Sequence, residues 1–333
     1  MPVTLKEVAA LAGVSRSAVS RCFTEGASVS PATRAKIQKA ADQLGYRPNA
    51  LASSLTTGRT KLIGLVSNNF HNPIFLEVFD LFTRALQERE LRPLLVNLSD
   101  ESDPQASLRL LQQYSVDAVI VASSTLPISF AESFHVAGVP VVHSFGRHTD
   151  NPQVNVVGID NKEAGRIAAK ALLARGYKHI AMLAGPQQAT STEDRLFGFL
   201  DALKSEEGIK VTTSFAASYS YDAGWEEMQR LLAAGDIADG YFCGDDVLSI
   251  GALSALHAAG KRVPEDVGLI GLNDMEMARW RNIDLTTIRQ PIPEVVRLSV
   301  EMVCQMLEDQ DLPVQAHLLP SELVERGTLP ALS

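Results

Sequence analysis

From Lys61 onward the chain alternates short apolar runs with amphipathic stretches, and this alternation restricts the possible folds more than any other feature of the sequence. The runs "KLIGLVSN", "RPLLVNLS", "DAVIVAS" and "PVVHSF" come first, followed by "NVVGID", "HIAMLAG", "VTTSFAA", "GYFCGDD" and "VGLIGLND". The first four are apolar runs that read as strands buried on both faces, and the later five repeat the alternation. Helical periodicity separates them over residues 75–89, 104–113 and 128–137, then in stretches ending near Arg175 and Glu206, starting at Asp222, and ending at Ala259. Strand–helix repetition predicts parallel sheets with helices on both faces. Roughly ten strands over this length predict two sheets, and therefore two lobes.

Such sheets bind ligands beyond the carboxyl ends of their strands. Here those ends carry Asn68, Asn69, Ser123, Ser124, Phe145, Asp245, Asn273 and Asp274. Two lobes facing each other would enclose a cleft lined by these residues.

The first sixty residues read differently. Thr4 and Glu7 form a capping box, so a helix starts near Leu5 with Val8, Ala9, Leu11 and Ala12 as its apolar stripe. Gly13 ends it, because glycine takes the left-handed backbone at a helix C-terminus without penalty. Ser15 caps a second short helix over residues 16–23, and Ser30-Pro31 opens a third that stops at Gly45. A small residue at Ala9, a turn at Gly13 and an apolar seal at Val19 are what a helix-turn-helix needs.

Charge separates the two parts. Residues 1–60 hold eight basic and three acidic side chains, whereas the remainder holds 22 basic and 36 acidic. A cationic head on an anionic body predicts a polyanionic partner for the head alone. The second helix suits a DNA major groove, exposing Arg16, Ser17 and Arg21, with Ala18 placed for a thymine methyl. Thr4, Ser15 and Ser20 are short donors at helix N-termini, suited to phosphate oxygens. Arg21 reads either a guanine edge or a phosphate.

At this point the chain resembles the LacI/GalR family of transcriptional regulators. "VTLKEVAALAGVS", "AVSR", "SPATRAKIQKAADQLGYRPNALASSL" and "IGLV" match the family pattern in order and spacing, and "NPIF", "GIDN", "RLFGF", "GLND" and "TTIRQP" continue the likeness through the body. The resemblance implies a helix-turn-helix head at 1–47 and a hinge segment at 48–60. It implies a two-lobed periplasmic-binding-protein type I-like domain at 61–333. One lobe would take about 61–160 and 291–320, the other about 161–290 and 321–333, with crossings near Asp160–Asn161, Gln290–Pro291 and Pro320–Ser321. In the hinge, Leu55 would be a minor-groove wedge that helps kink the duplex, with Asn49 and Ala52 beside it.

Carried onto this sequence, the effector positions are Phe75, Phe145, Ser191, Arg195, Tyr221, Asp245 and Asp274, with Ser124 at a strand end. The aromatic faces suit the C–H face of a sugar ring, and Arg195 and Asp274 suit hydroxyl groups. Taken alone, Phe75 and Phe145 read equally as core, and Arg195 with Asp274 as an interlobe ion pair. Family members often carry Asn-Asp where this chain has Asp245-Asp246. The extra negative charge favours a neutral sugar or polyol, unless Arg147 or Arg195 offsets it.

The resemblance therefore implies a regulator, most simply a repressor, that binds near-palindromic double-stranded operator DNA as a homodimer or a dimer of dimers and answers to a small effector. An activator or a corepressor-dependent regulator of the same fold is the alternative. Other classes find little support. There is no G-x-G-x-x-G after the first strand, no Walker loop and no G-x-S-x-G elbow, which leaves an enzyme without its motif and calls for no cofactor. Asp245 and Asp246 could be read as an acid–base pair, although hydroxyl binding is the simpler use. The seven histidines show no metal-ligand spacing, and Cys22, Cys243 and Cys304 are too far apart in sequence for a zinc site or a disulfide framework. Without a secretory pattern or an apolar run near 20 residues, the expected location is the cytoplasm rather than a membrane or the secreted solute-binding class.

Overall fold

The structure, a computed structural model, describes residues 3–24, 26–47, 58–98, 104–309 and 311–332. The hinge residues Asn49, Ala52 and Leu55 lie outside this set. The chain divides into two compact units, Met1–Lys61 and Leu62–Ser333.

In the first unit α1 (Leu5–Ala12), α2 (Arg16–Cys22) and α3 (Pro31–Leu44) surround a small core. The Glu7 carboxylate accepts from the Thr4 N–H at 2.7 Å and from the Thr4 hydroxyl at 2.8 Å, so one carboxylate fixes the start of α1. Gly13 has φ +65° and open space around it, and its turn directs α2 across α1. Ser15 and Ser30 cap α2 and α3 by accepting from Ala18 and Thr33 N–H. Val8, Val19, Ile37 and Ala41 are fully buried, and the Phe23 and Tyr46 rings meet at 5.7 Å. Arg34 donates to the Cys22 carbonyl at 2.8 Å, pinning α3 to the end of α2. Leu11 corrects the expected stripe: it is 51% exposed, while Leu5, Val8, Ala9 and Ala12 supply the face of α1 that meets the core.

In the second unit one lobe, the N-lobe, is built on a six-stranded sheet. Its strands are β1 (Leu62–Ser67), β2 (Arg92–Asn97), β3 (Ala118–Ala122), β4 (Val141–Ser144), β5 (Asn155–Ile159) and β11 (Ala316–Leu319). Their order is β11-β5-β4-β3-β1-β2, and every pairing is parallel. On one face α4 (Ile74–Gln87) and α11 (Ile292–Glu308) bury Phe82, Leu86, Val295 and Val300 against Ile63, Leu65 and Val142. On the other, α5 (Pro104–Gln113) and α6 (Ile128–Val136) bury Leu111, Phe130 and Phe134 against Val66, Val119 and Val121. Each large side chain buried in this way stabilises by about 1.5–3 kcal/mol.

The C-lobe sheet contains β6 (His179–Ala184), β7 (Lys210–Phe215), β8 (Gly240–Cys243), β9 (Gly268–Asn273), β10 (Thr287–Arg289) and β12 (Glu322–Val324), ordered β12-β10-β9-β8-β6-β7. Its helices α7 (Asn161–Leu173) and α8 (Thr190–Leu203) cover one face, and α9 (Tyr221–Ala234) and α10 (Asp246–Ala258) the other. β12 runs antiparallel to β10, so one edge departs from the all-parallel expectation. The chain passes between the sheets after Ile159, after Arg289 and between Leu319 and Glu322. α11 returns to the N-lobe, where Ser299 receives a 2.7 Å hydrogen bond from Ser144.

α7 and α8 cross in close contact. A Cβ on Gly198 would overlap the Lys162 carbonyl, and one on Gly165 would overlap the Arg195 carbonyl. The crossing sets Arg195 beside Asn161, at the first junction between the lobes.

Candidate functional site

In the head, Arg16, Ser17 and Arg21 are exposed on α2, with Ala18 and Ser20 partly covered. Among the described residues Arg16 has no ion-pair partner and Arg21 makes only a long 3.4 Å bond to the Ser17 carbonyl. Their guanidinium groups therefore remain open to an anion. The short donors are less open. The Thr4 hydroxyl already gives its proton to Glu7, and Ser15 Oγ accepts from Ala18 N–H at 3.1 Å while sharing a 2.9 Å bond with Ser17 Oγ.

In the second unit the carboxyl ends of both sheets face each other. The cleft between them is lined from the N-lobe side by Asn69, Asn72, Ile74, Phe75, Val78, Ser124, Phe145 and Ile292. The C-lobe side supplies Arg195, Tyr219, Asp245 and Asn273, with Gln290 at a crossing. Traced by the centre of a water molecule, the cavity is about 30 Å³. Past Asn69 and Tyr219 the cleft continues into a wider space of about 360 Å³ by the same measure, lined by Asn68 and Thr125 of the N-lobe and by Pro186, Gln188 and Ser218 of the C-lobe. Phe145 closes β4 at φ +64°, and Asn273 and Asp274 close β9 at +126° and +58°. Non-glycine residues avoid these conformations, which cost of order 1–3 kcal/mol each and cluster where a site fixes them.

Arg195 is 3% exposed and donates from Nε to Asn161 Oδ1 at 2.8 Å and from Nη1 to the Gly244 carbonyl at 2.6 Å. Asp245 is also buried and caps α10. Its Oδ2 accepts from Asn72 at 2.8 Å and from Asn273 at 3.0 Å, and its Oδ1 accepts from Val247 N–H at 2.6 Å. Burial pushes its carboxyl up, against the pull of these donors and the Arg195 charge. Next to it, burial pushes the Asp246 carboxyl up to about 7 although Thr287 and the Met275 N–H donate to it.

Several residues expected to meet the effector lie elsewhere. Asp274 does not line the cleft. Its buried carboxylate accepts from Arg279, Arg289 and Arg326 at 3.0, 2.7 and 2.5 Å, all from the C-lobe. Burial would raise it, but the three guanidiniums together hold it below the ordinary carboxylate range. An Arg195–Asp274 pair is therefore absent among the described residues.

Arg147 is the interlobe clasp instead. It donates to Asp194 at 2.7 Å, to Glu193 at 2.8 Å and to the Thr190 carbonyl at 2.8 Å, all on α8. It spends its charge there rather than offsetting Asp245. Ser124 lines the cleft, and its carbonyl accepts from the Ser191 N–H at 3.2 Å and the Thr190 hydroxyl at 3.0 Å. Ser191 is buried behind that contact, its hydroxyl without a partner. Tyr221 is 41% exposed on the first turn of α9, and Tyr219 takes the cleft position, its hydroxyl 2.7 Å from Thr192 Oγ1. Ser220 is the cap of α9; reading it as such puts Tyr221 on the helix surface and leaves Tyr219 in the strand-end loop. Asn72 and Gln290 also line the cleft; both lie in the motifs "NPIF" and "TTIRQP", but a neutral amide beside an aromatic or a cation carries no signal of its own in the sequence.

The comparisons with known proteins match both units. Residues 4–49 match "Bacterial regulatory proteins, lacI family", and residues 169–329 match "Periplasmic binding protein-like domain". The HTH-type transcriptional regulator CelR of Thermobifida fusca is 33% identical, over 96% of this chain and 97% of its own. The ribose operon repressor of Escherichia coli K12 is 30% identical, over 98% and 99%. Among solved structures, the lac repressor dimer bound to operator and the anti-inducer ONPF matches with a TM-score of 0.88 at 26% identity, covering 99% and 100% of the two chains. A complex of the transcriptional regulator CelR with cellobiose matches at 0.70 and 31% identity, covering 98% and 99%. The chain belongs to the lacI family of bacterial regulatory proteins and is a DNA-binding transcriptional regulator with a helix-turn-helix head and a two-lobed α/β body.

Proposed function

We propose that the chain is a cytoplasmic repressor that binds a near-palindromic operator as a dimer and releases it when a neutral sugar or polyol occupies the cleft. The observation that carries the effector reading is the composition of the cleft: two aromatic rings on one side face one buried cation and one buried anion on the other. The rings suit the C–H face of a sugar, and the balanced charges favour a ligand with no net charge. Similarity to a regulator solved with cellobiose and to a ribose operon repressor supports the sugar class. The site is built to hold rather than to convert, because Asp246 is fully buried and occupied by Thr287 and the Met275 N–H. On DNA, Arg16, Ser17, Ala18 and Arg21 would face the major groove, with paired heads roughly 34 Å apart.

The test starts from a duplex selected from a random pool for binding to the full chain. Cellobiose, ribose and their phosphorylated forms are then screened by thermal shift and by operator anisotropy. A neutral sugar at 100-fold its Kd should add about 2.7 kcal/mol, lower operator affinity and be recovered unchanged. A response confined to the phosphorylated forms would overturn the neutral-effector reading. Arg21→Ala should cost about 1–3 kcal/mol and relax sequence preference if Arg21 reads a base; equal losses on every duplex would make it a phosphate contact.

A further inference from the structure

Asp245 sits at the centre of a hydrogen-bonded chain that crosses the cleft. Asn72, in the turn before α4 of the N-lobe, donates its Nδ2–H to Asp245 Oδ2 at 2.8 Å, and Asn273 at the end of β9 donates to the same oxygen at 3.0 Å. The Asn273 Oδ1 accepts in turn from Gln290 Nε2, at the crossing between the lobes. The outer ends are fixed as well, since Asn72 Oδ1 accepts from Ile74 N–H at 3.2 Å and Asp245 Oδ1 from Val247 N–H at 2.6 Å. Asn72, Asp245 and Asn273 are 2%, 4% and 6% exposed, so water does not compete for these groups.

The direction of this chain has one cause. A carboxylate only accepts, so both asparagines must turn their NH₂ groups toward Asp245, and Gln290 must then donate to the oxygen of Asn273. An amide at position 245 could not do this. Its oxygen would be held by Val247 N–H, leaving its NH₂ facing that of Asn72, which Ile74 N–H holds in place. Charge-assisted bonds are also about twice as strong as neutral ones. Asn273 holds a backbone at φ +126° that asparagine does not adopt freely, and its side chain is tied at both ends. With three donors in place, at most one lone-pair site of Asp245 remains for a ligand.

We propose that Asp245 is a positioning residue: acting through Asn72 it latches the two lobes shut, and acting through Asn273 and Gln290 it ties the latch to the crossing strand. The cleft is narrowest, at about 30 Å³, where Asn72 meets Asp245, and widens beyond Tyr219, as a latch at its inner end would leave it. A sugar enters only when the Asn72 amide leaves the carboxylate, and this clause alone rests on the effector reading above.

The experiment measures lobe separation directly in the full-length chain. Spin labels go at Gln112→Cys on α5 and Glu226→Cys on α9, one per lobe, on a Cys304→Ser background. In labelled chain diluted with excess unlabelled chain, so that a dimer carries one labelled copy, the native pair should give one narrow distance distribution. Asp245→Asn and Asn72→Ala should each add a population at longer distance. The exchanged pair Asn72→Asp/Asp245→Asn should recover the native distribution, because a carboxylate at 72 can accept from the amide at 245 and still receive Ile74 N–H, while the Asn273 and Gln290 amides turn over together to accept from it. A native distribution in folded Asn72→Ala or Asp245→Asn would overturn the proposal, as would an exchanged pair that stays open. If Asp245→Asn does not fold, Asn72→Ala and the exchanged pair decide. No sugar is present in the measurement, so its failure is separate from failure of the effector reading, which the native chain's response to cellobiose and ribose decides.

Discussion

The two walls of the cleft differ in how their chemistry is weighted. The N-lobe presents Ile74, Phe75, Val78, Phe145 and Ile292 beside the uncharged polar Asn69, Asn72 and Ser124, while the C-lobe presents Arg195, Asp245, Asn273 and Tyr219. The N-lobe wall is held by packing, as Phe75 and Phe145 belong to the same core as α4, α11 and the N-lobe strands. The C-lobe wall is held by directed bonds, each polar group having a partner that fixes its orientation. Packing tolerates small shifts of a ring, whereas a buried hydrogen bond does not tolerate loss of a partner. The difference assigns shape to one lobe and orientation to the other.

The largest test of this contrast is Phe75→Ala. It should destabilise the second unit by about 3 kcal/mol, read as a shift in the urea midpoint, and Phe75→Leu should restore most of that loss because the N-lobe wall asks for volume. Arg195→Ala should come next, at about 2 kcal/mol for two charge-assisted bonds. Arg195→Lys should not rescue the response to sugar, since one ammonium cannot serve both Asn161 and the Gly244 carbonyl at their present positions; a Lys variant that responds like the native chain would make the C-lobe wall as forgiving as the other. Arg147→Ala should cost about 1 kcal/mol, and the difference from the native chain should shrink in high salt because the clasp is partly exposed. A salt-independent difference would point to packing instead.

A further effect concerns pH. Asp246 holds its proton up to about 7 in the folded chain, whereas an unfolded Asp ionises near about 4. Between these values the folded form binds more protons than the unfolded form, so this group's contribution to stability is greatest below pH 4, declines as pH rises to 7 and is level above it. Asp246→Asn should flatten the urea midpoint across that window, and an unchanged slope would place the titration elsewhere.

Much of this architecture was legible in the sequence, for reasons that differ from region to region. The Val- and Ile-rich runs identify β1, β3 to β6, β8 and β9 because a strand covered on both faces has no polar side to blur its pattern, whereas the edge strands β2 and β7 are only partly buried, against the expectation for β2, and are marked by the strand–helix alternation. β10, β11 and β12 are three or four residues long and lie at or next to sheet edges, where burial is partial, so their pattern is weak. The head was readable because its caps are local: Thr4 with Glu7, Gly13, Ser15 and Ser30 act within a few residues of themselves. The cleft was harder. Phe75, Phe145, Arg195 and Asp245 do line it, but nothing near Asp274 in the sequence shows that Arg279, Arg289 and Arg326 converge on it from three separate segments. The same holds for Arg147, whose partners lie more than forty residues away on α8.

One consequence follows from how α8 begins. Its cap position is Ala189, whose side chain can accept nothing, and the acceptor for the Ser191 N–H is the Ser124 carbonyl of the other lobe. When the lobes part, the first turn of α8 loses that acceptor, and Arg195 sits one turn further along. Deuterium uptake at the Ser191 amide should therefore keep time with every separation of the lobes, giving an unlabelled chain its own internal clock.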